Sequence, residues 1–280
     1  MSANLRIVSL NAADAATITA SDSVGALVPA NLQADEKAKV WRSTGPLATL
    51  TLTWAAQRSI DSIALFWTNF SSLATVRVRA YANASDVGTL VDTTYQPDPP
   101  EPIDHFAWGA EALARSGAER SGGPQHEQIW LSPGVSAAKL VLDLSDPGSA
   151  DDYLEVSRIA CGMRWELAIN MGYGLGVQWM DRAKPVRAES GDLRTDYLSR
   201  YRRLVMKLDW ITSTADRDRL LALAAAGVGR PMWVCGWPDQ ADDTPLQQIY
   251  ALWGAFVSEP TLTLPMLSIW TADPTFEEFA

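Results

Sequence analysis

The side chains that could carry chemistry are few and scattered. Both histidines, His105 and His126, fall between residues 96 and 128, with Asp104 and Glu127 beside them in sequence. A zinc site needs three or four ligands converging on one point. Two histidines with one adjacent acid each do not define such a point, so both read as loop histidines facing water. Hydrolysis through an activated serine needs a Gly-x-Ser-x-Gly elbow, and that pattern does not occur. Glycoside cleavage needs two carboxylates about 5–10 Å apart on separate strands or loops. Asp14, Asp35, Glu155, Asp209 and Asp242 are available, but turns and solvated faces account for such acids and none is singled out. Gly172-Tyr-Gly-Leu-Gly176 lacks the lysine and the strand-to-helix setting of a phosphate loop, and reads as a turn needing positive φ. The expectation is therefore a protein with no catalytic residue, no cofactor and no metal.

The remaining reactive groups are two cysteines, Cys161 and Cys235, each in an apolar stretch. They read as free buried thiols, which behave as small hydrophobes, although sequence alone leaves a disulfide between them open. Twelve tryptophans are spread from Trp41 to Trp270. Each ring buries a large area and asks for one polar partner, so most are expected in cores or subunit interfaces. Trp41, Trp108 and Trp130 are the candidates for a ring that stacks on a sugar or touches a partner. A net charge of −10 argues against nucleic acid. The richest basic cluster, Arg200-Tyr-Arg-Arg203, reads as a solvated strand edge. No secretory signal and no apolar run of membrane-spanning length is visible, so cytoplasmic synthesis without membrane insertion is expected.

These groups must be positioned by strands. Ala48 to Trp54 alternates threonine with apolar residues, Ser59 to Trp67 is apolar for most of its length, and Ala74 to Tyr81 alternates valine with arginine. Strand signals return at Gln128–Leu131, Ala138–Leu144 and Tyr153–Ala160. Between them, residues 96–128 carry Pro97, Pro99, Pro100 and Pro102 and a possible helical turn at Glu111–Arg115, and are expected to be an irregular projecting insertion. Further on, Leu204, Met206, Leu208 and Trp210 alternate with polar or smaller neighbours, as in a strand with one face in a core. Ser213-Thr-Ala-Asp216 matches a capping box, a helix follows over 214–226, and Gly227 suits the left-handed residue after it. Strands are expected at Pro231–Trp237, Gln248–Gly254 and Thr261–Trp270. The fold class is thus mainly β, with a jelly-roll sandwich over 1–168 and a β-rich module with one short helix over 169–280.

Two resemblances follow from these residues. Pro29-Ala-Asn-Leu, Val40-Trp-Arg-Ser43 and Ser59-Ile-Asp-Ser-Ile-Ala-Leu resemble the opening of a discoidin-type, galactose-binding-like jelly roll. In that family an acidic, glycine-containing loop binds calcium; here Gln33-Ala-Asp-Glu36 stands without the glycine. The stretch from Asp146-Pro-Gly through Asp152 to Gly162, Gly176-Val-Gln-Trp, Tyr201-Arg-Arg-Leu-Val, the capped helix and the ending Phe276-Glu-Glu-Phe279 is similar in order to structural proteins of phage tail tips and baseplates. That resemblance implies a virion component, a homo-oligomer that also joins other phage tail proteins. The jelly roll implies the alternative, a carbohydrate-binding module for a host-surface glycan. A glycan hydrolase is a third reading, with no residue pair to support it.

Overall fold

A strand with one apolar face must bury it against another layer. The computed structural model shows how this chain does so, and describes residues 4–99, 125–187, 189–196, 198–238, 244–266 and 268–279. The chain divides into two compact units: Met1–Glu166 with Met232–Ala251, and Leu167–Pro231 with Leu252–Ala280. Residues 232–251, expected in the second module, belong to the first. No helix among the described residues is long and apolar enough to cross a membrane.

The first unit opens with β1 (Arg6–Val8), β2 (Thr17–Ala20), β3 (Trp41–Arg42), β4 (Leu47–Phe66), β5 (Thr75–Tyr81) and β6 (Thr89–Tyr95). It continues with β7 (His126–Ser145), β8 (Glu155–Val156), β9 (Arg158–Gly162) and β10 (Trp165–Glu166). The main sheet runs β2-β4-β7-β5-β6, all antiparallel, with β9 beside β4. The sequence suggests two strands within 48–67 and two within 128–144. Each pair is instead one strand of 20 residues. At about 3.3 Å per residue such a strand would span roughly 65 Å if straight. Yet Leu50, Leu52, Ile63 and Leu65 share one buried cluster with Leu131, Leu140 and Leu142. Both strands therefore bend around that core, where the β4–β7 register slips between Thr53 and Arg58 and again between Ile60 and Ser62.

Burial along β4 explains its two textures. Up to Trp54 it alternates, one face in and one face out; from Ile60 to Phe66 every residue is buried. An apolar run of that kind marks a strand covered on both faces. The second cover is the returning segment of this same unit.

The second unit contains β11 (Gly176–Asp181), β12 (Lys184–Arg187), β13 (Leu193–Asp196), β14 (Arg200–Val205), β15 (Leu208–Ile211) and the helix α1 (Thr214–Ala225). Ser213 caps the helix by accepting from the Asp216 amide, and Gly227 follows its end at φ 85°. The Asp216 carboxylate accepts from the Ala168 amide at 3.0 Å. Leu204, Met206 and Leu208 are buried as the alternation predicts, but Trp210 is 54% exposed. The strand breaks after Val205, and a register slip between Leu208 and Ile211 turns Ile211 inward in place of Trp210.

The chain then re-enters the first unit through β16 (Met232–Cys235) and a second short helix, α2 (Thr244–Ile249), where the sequence suggested strand from Gln248. β17 (Ala251–Phe256) is the strand expected from Gln248, starting three residues later, while β18 (Leu262–Met266) and β19 (Ile269–Ala272) replace the single last strand expected over 261–270 and β20 (Thr275–Glu278) follows. The last of these, β20, lies between β17 and β14. A Cβ on Gly254 would stand 1.9 Å from the Glu277 carbonyl oxygen, so that pairing requires glycine. The basic cluster is not a solvated edge: Arg202 is 1% exposed and donates to both Glu278 carboxylate oxygens, at 3.1 and 2.7 Å. Arg203 pairs with Glu277 at 2.7 Å. The acidic chain ending is the counter-charge of that cluster.

Candidate functional site

β6 forms the outer edge of its sheet, paired with β5 from Val76↔Tyr95 to Tyr81↔Thr89, and most of its residues face solvent. A groove of about 240 Å³ runs along it. Asp92, Thr93 and Tyr95 line one side, and Ser132, Pro133 and Val135 of β7 the other. Leu90, Val91 and Leu131 add apolar surface. This part of β7 lies at the bend, between the pairs Ile60↔Val135 and Ser62↔Trp130, and includes the cis Ser132–Pro133 peptide. A Cβ on Gly134 would meet the Asp61 Cβ at 2.8 Å and the Ile60 carbonyl oxygen at 3.3 Å, so β7 is pressed against β4 beside the groove.

The Asp92 carboxylate lies on the opposite face of β6 from Val91, Thr93 and Tyr95, on the side of Arg77 and Arg79. The Arg77 guanidinium donates to both Asp92 oxygens, at 2.7 and 2.8 Å. Those hydrogen bonds hold the Asp92 carboxyl below its ordinary pKa, so it stays ionised and accepts only. Hydroxyls of Thr93 and Ser132 can donate or accept, and Tyr95 offers a half-buried ring. The arrangement can hold a small polyhydroxylated ligand, with hydroxyls toward the polar groups and C–H surface toward the apolar ones. It presents no paired acid and base aimed at a common atom.

The tryptophans singled out from sequence lie elsewhere. Trp41 is fully buried and donates its indole N–H to the Asp22 carbonyl at 3.1 Å. Trp130 is half-buried, stacked on Trp233 with centroids 4.4 Å apart, and the Arg6 guanidinium lies 4.7 Å from its ring. Trp108 lies outside the described residues. Spacing in sequence cannot show that an indole is enclosed. The groove residues were missed because Thr89-Leu-Val-Asp-Thr-Thr-Tyr95 follows a turn and precedes the proline cluster, although its β-branched content is a strand signal.

The expected irregular insertion ends inside regular structure. Residues 100–124, including His105 and the turn at 111–115, lie outside the described residues. His126, Glu127 and Gln128, however, are buried members of β7. His126 is not a solvent-facing loop residue: its ring sits 4.9 Å from Phe66, and its backbone N–H and C=O are both bonded by the Gln248 side chain, at 2.9 and 2.6 Å. Trp233 of β16 packs edge-on to Phe66 at 6.0 Å and face-on to Trp130. These contacts are the second cover over the end of β4. Glu127 Oε1 accepts from Gln125 at 2.9 Å and Thr68 at 3.3 Å, while its other oxygen is buried with no partner. Burial, reinforced by the charge of Asp98, pushes the Glu127 carboxyl up to about 8.

Among the described residues, no group of three or more His, Cys, Asp or Glu side chains is placed to hold a metal ion. In the Gln33–Glu36 stretch, Asp35 meets the Arg158 guanidinium at 3.2 Å, and the same group meets Asp14 at 2.8 Å. An internal guanidinium, 1% exposed, is the cation of those two carboxylates. Cys161 and Cys235 are free and buried.

No protein-family model matches the sequence, and no curated protein sequence matches it. Some solved structures are similar to part of the chain. A chitosan-binding module of a chitosanase/glucanase from Paenibacillus sp. IK-5 is 11% identical, with TM-score 0.39, over 55% of this chain and 99% of that one. The family 32 carbohydrate-binding module of Clostridium perfringens NanJ, solved with galactose, is 9% identical, with TM-score 0.38, over 57% and 99%. A Ruminococcus gnavus GH29 fucosidase is 10% identical, with TM-score 0.36, over 55% of this chain but 26% of its own length.

Proposed function

We propose that the first unit binds a carbohydrate, without catalysis, in the groove between β6 and β7. The observation that carries this reading is the groove's mixed lining. The hydroxyls of Thr93 and Ser132 form the polar side, and Val91, Pro133 and Val135 meet the C–H face. A volume of about 240 Å³ lies below that of pockets holding drug-sized ligands, and suits a single sugar residue at the end of a glycan. A glycan array with the intact protein tests this: sugars bind, and Thr93→Ala or Tyr95→Ala weakens binding about tenfold or more with the fold unchanged by circular dichroism. Binding that survives both substitutions rejects the groove as the site.

A second reading, a structural subunit such as those of phage tail tips, draws on a different observation. The second unit exposes large apolar side chains, among them Val186 at 58%, Leu193 at 61% and Trp210 at 54%. Surface of that kind favours contact with further copies or neighbouring proteins. A single-copy particle at high concentration counts against it.

A further inference from the structure

We infer that the β11–β14 arm of the second unit docks on the acidic first unit of a second copy of this chain; this deepens the assembly reading and rests on it. The arm is one antiparallel ribbon. Pairing runs from Gly176↔Val205 to Asp181↔Arg200, then resumes after a one-residue slip from Lys184↔Asp196 to Arg187↔Leu193. Beyond Asp181 no third strand joins it among the described residues. A two-stranded ribbon is marginal by itself in water. All four residues of β12 are exposed, and Val186 and Leu193 hold apolar side chains in solvent on neighbouring strands.

Charge selects the occupant. Residues 176–205 carry seven Lys or Arg against four Asp or Glu, in a chain whose net charge is −10. The first unit carries twelve basic against twenty-two acidic residues, so it holds the whole net negative charge, and the second unit is balanced at eleven of each. Near the base of the arm the cations are spoken for: Arg200 pairs with Asp181, Arg202 with Glu278 and Arg203 with Glu277. Further out, Arg182 and Arg194 are exposed and make no ion pair with a described side chain, and Lys184 lies opposite Asp196 in the register. A basic ribbon with an exposed apolar side chain on each face, and a unit of net negative charge on the same molecule type, form a head-to-tail contact that repeats.

Sedimentation velocity of the intact protein at about 0.05 M and about 0.5 M salt tests this. The expected result is concentration-dependent association that weakens with salt. It falls about tenfold or more in Arg182→Glu/Lys184→Glu/Arg194→Glu, and falls at both salts in Val186→Ser/Leu193→Ser, with melting temperatures unchanged. A wild type that associates as strongly as the charge-reversed variant overturns the arm as the docking element while leaving the assembly reading standing. A wild type that stays monomeric in both salts overturns both. Salt-sensitive binding of a DNA duplex without self-association overturns the inference in favour of a nucleic-acid partner. None of these outcomes bears on the sugar groove.

Discussion

Glu127 shows what a single residue's setting can do to its chemistry. Its place beside a histidine and a proline-rich stretch suggests a solvated loop acid, but it lies within β7 with one carboxylate oxygen unpartnered. Because burial raises its pKa to about 8, the folded protein keeps a proton that the unfolded chain has released above its ordinary 4.5. Stability is therefore highest with respect to this group below about 4.5 and declines as pH rises toward 8. Glu127→Gln keeps the shape and removes the titration, so its melting temperature is expected to fall less than that of the wild type between pH 5 and 9. Parallel melting curves across that range would show that Glu127 is solvated. The legible residues were those whose local chemistry is self-sufficient: Ser213 caps its helix, Gly227 takes positive φ, and Cys161 and Cys235 are buried thiols. Trp41, Trp130, His126 and Arg202 were not legible, because each is placed by a partner 19 or more residues away: the Asp22 carbonyl, Trp233, Gln248 and Glu278.

At the scale of elements, periodicity located strands well and their ends poorly. Alternation over 48–54 and 74–81 was sufficient, since one face of each lies on the core. The mostly apolar second half of β4, buried without a break from Ile60 to Phe66, carried a further message: a strand buried on both sides needs a second cover. That cover, β16 with α2, comes from residues 232–251, and no local signal ties it to the first unit. Trp233 is its anchor, fully buried between Phe66 and Trp130. Trp233→Ala is expected to destabilise the first unit by about 3–5 kcal/mol. Calorimetry would show this as a lowered transition of the first unit, although the substitution lies 67 residues beyond Glu166 in the sequence. A transition that stays in place would mean that the returning segment does not cover β4. The edge strand β6 went unread for the converse reason: mostly exposed on both faces, it lacks the apolar alternation by which strands are recognised.

The whole molecule joins two β-rich units of different electrical character through a chain that leaves the first unit and later returns. The β class follows from composition and strand spacing. The return does not, because it depends on tertiary packing between segments far apart in the chain. The sugar groove has the same origin: its walls come from β6 and from the bend of β7, brought together only when the long strands fold around the core. Its central claim, recognition of a sugar without turnover, is tested most directly by amide chemical-shift mapping during titration with monosaccharides. Saturable shifts centred on residues 91–95 and 131–135, with the sugar recovered unchanged, are the predicted result. A full panel that moves no amide there, or that is hydrolysed during the titration, would contradict it.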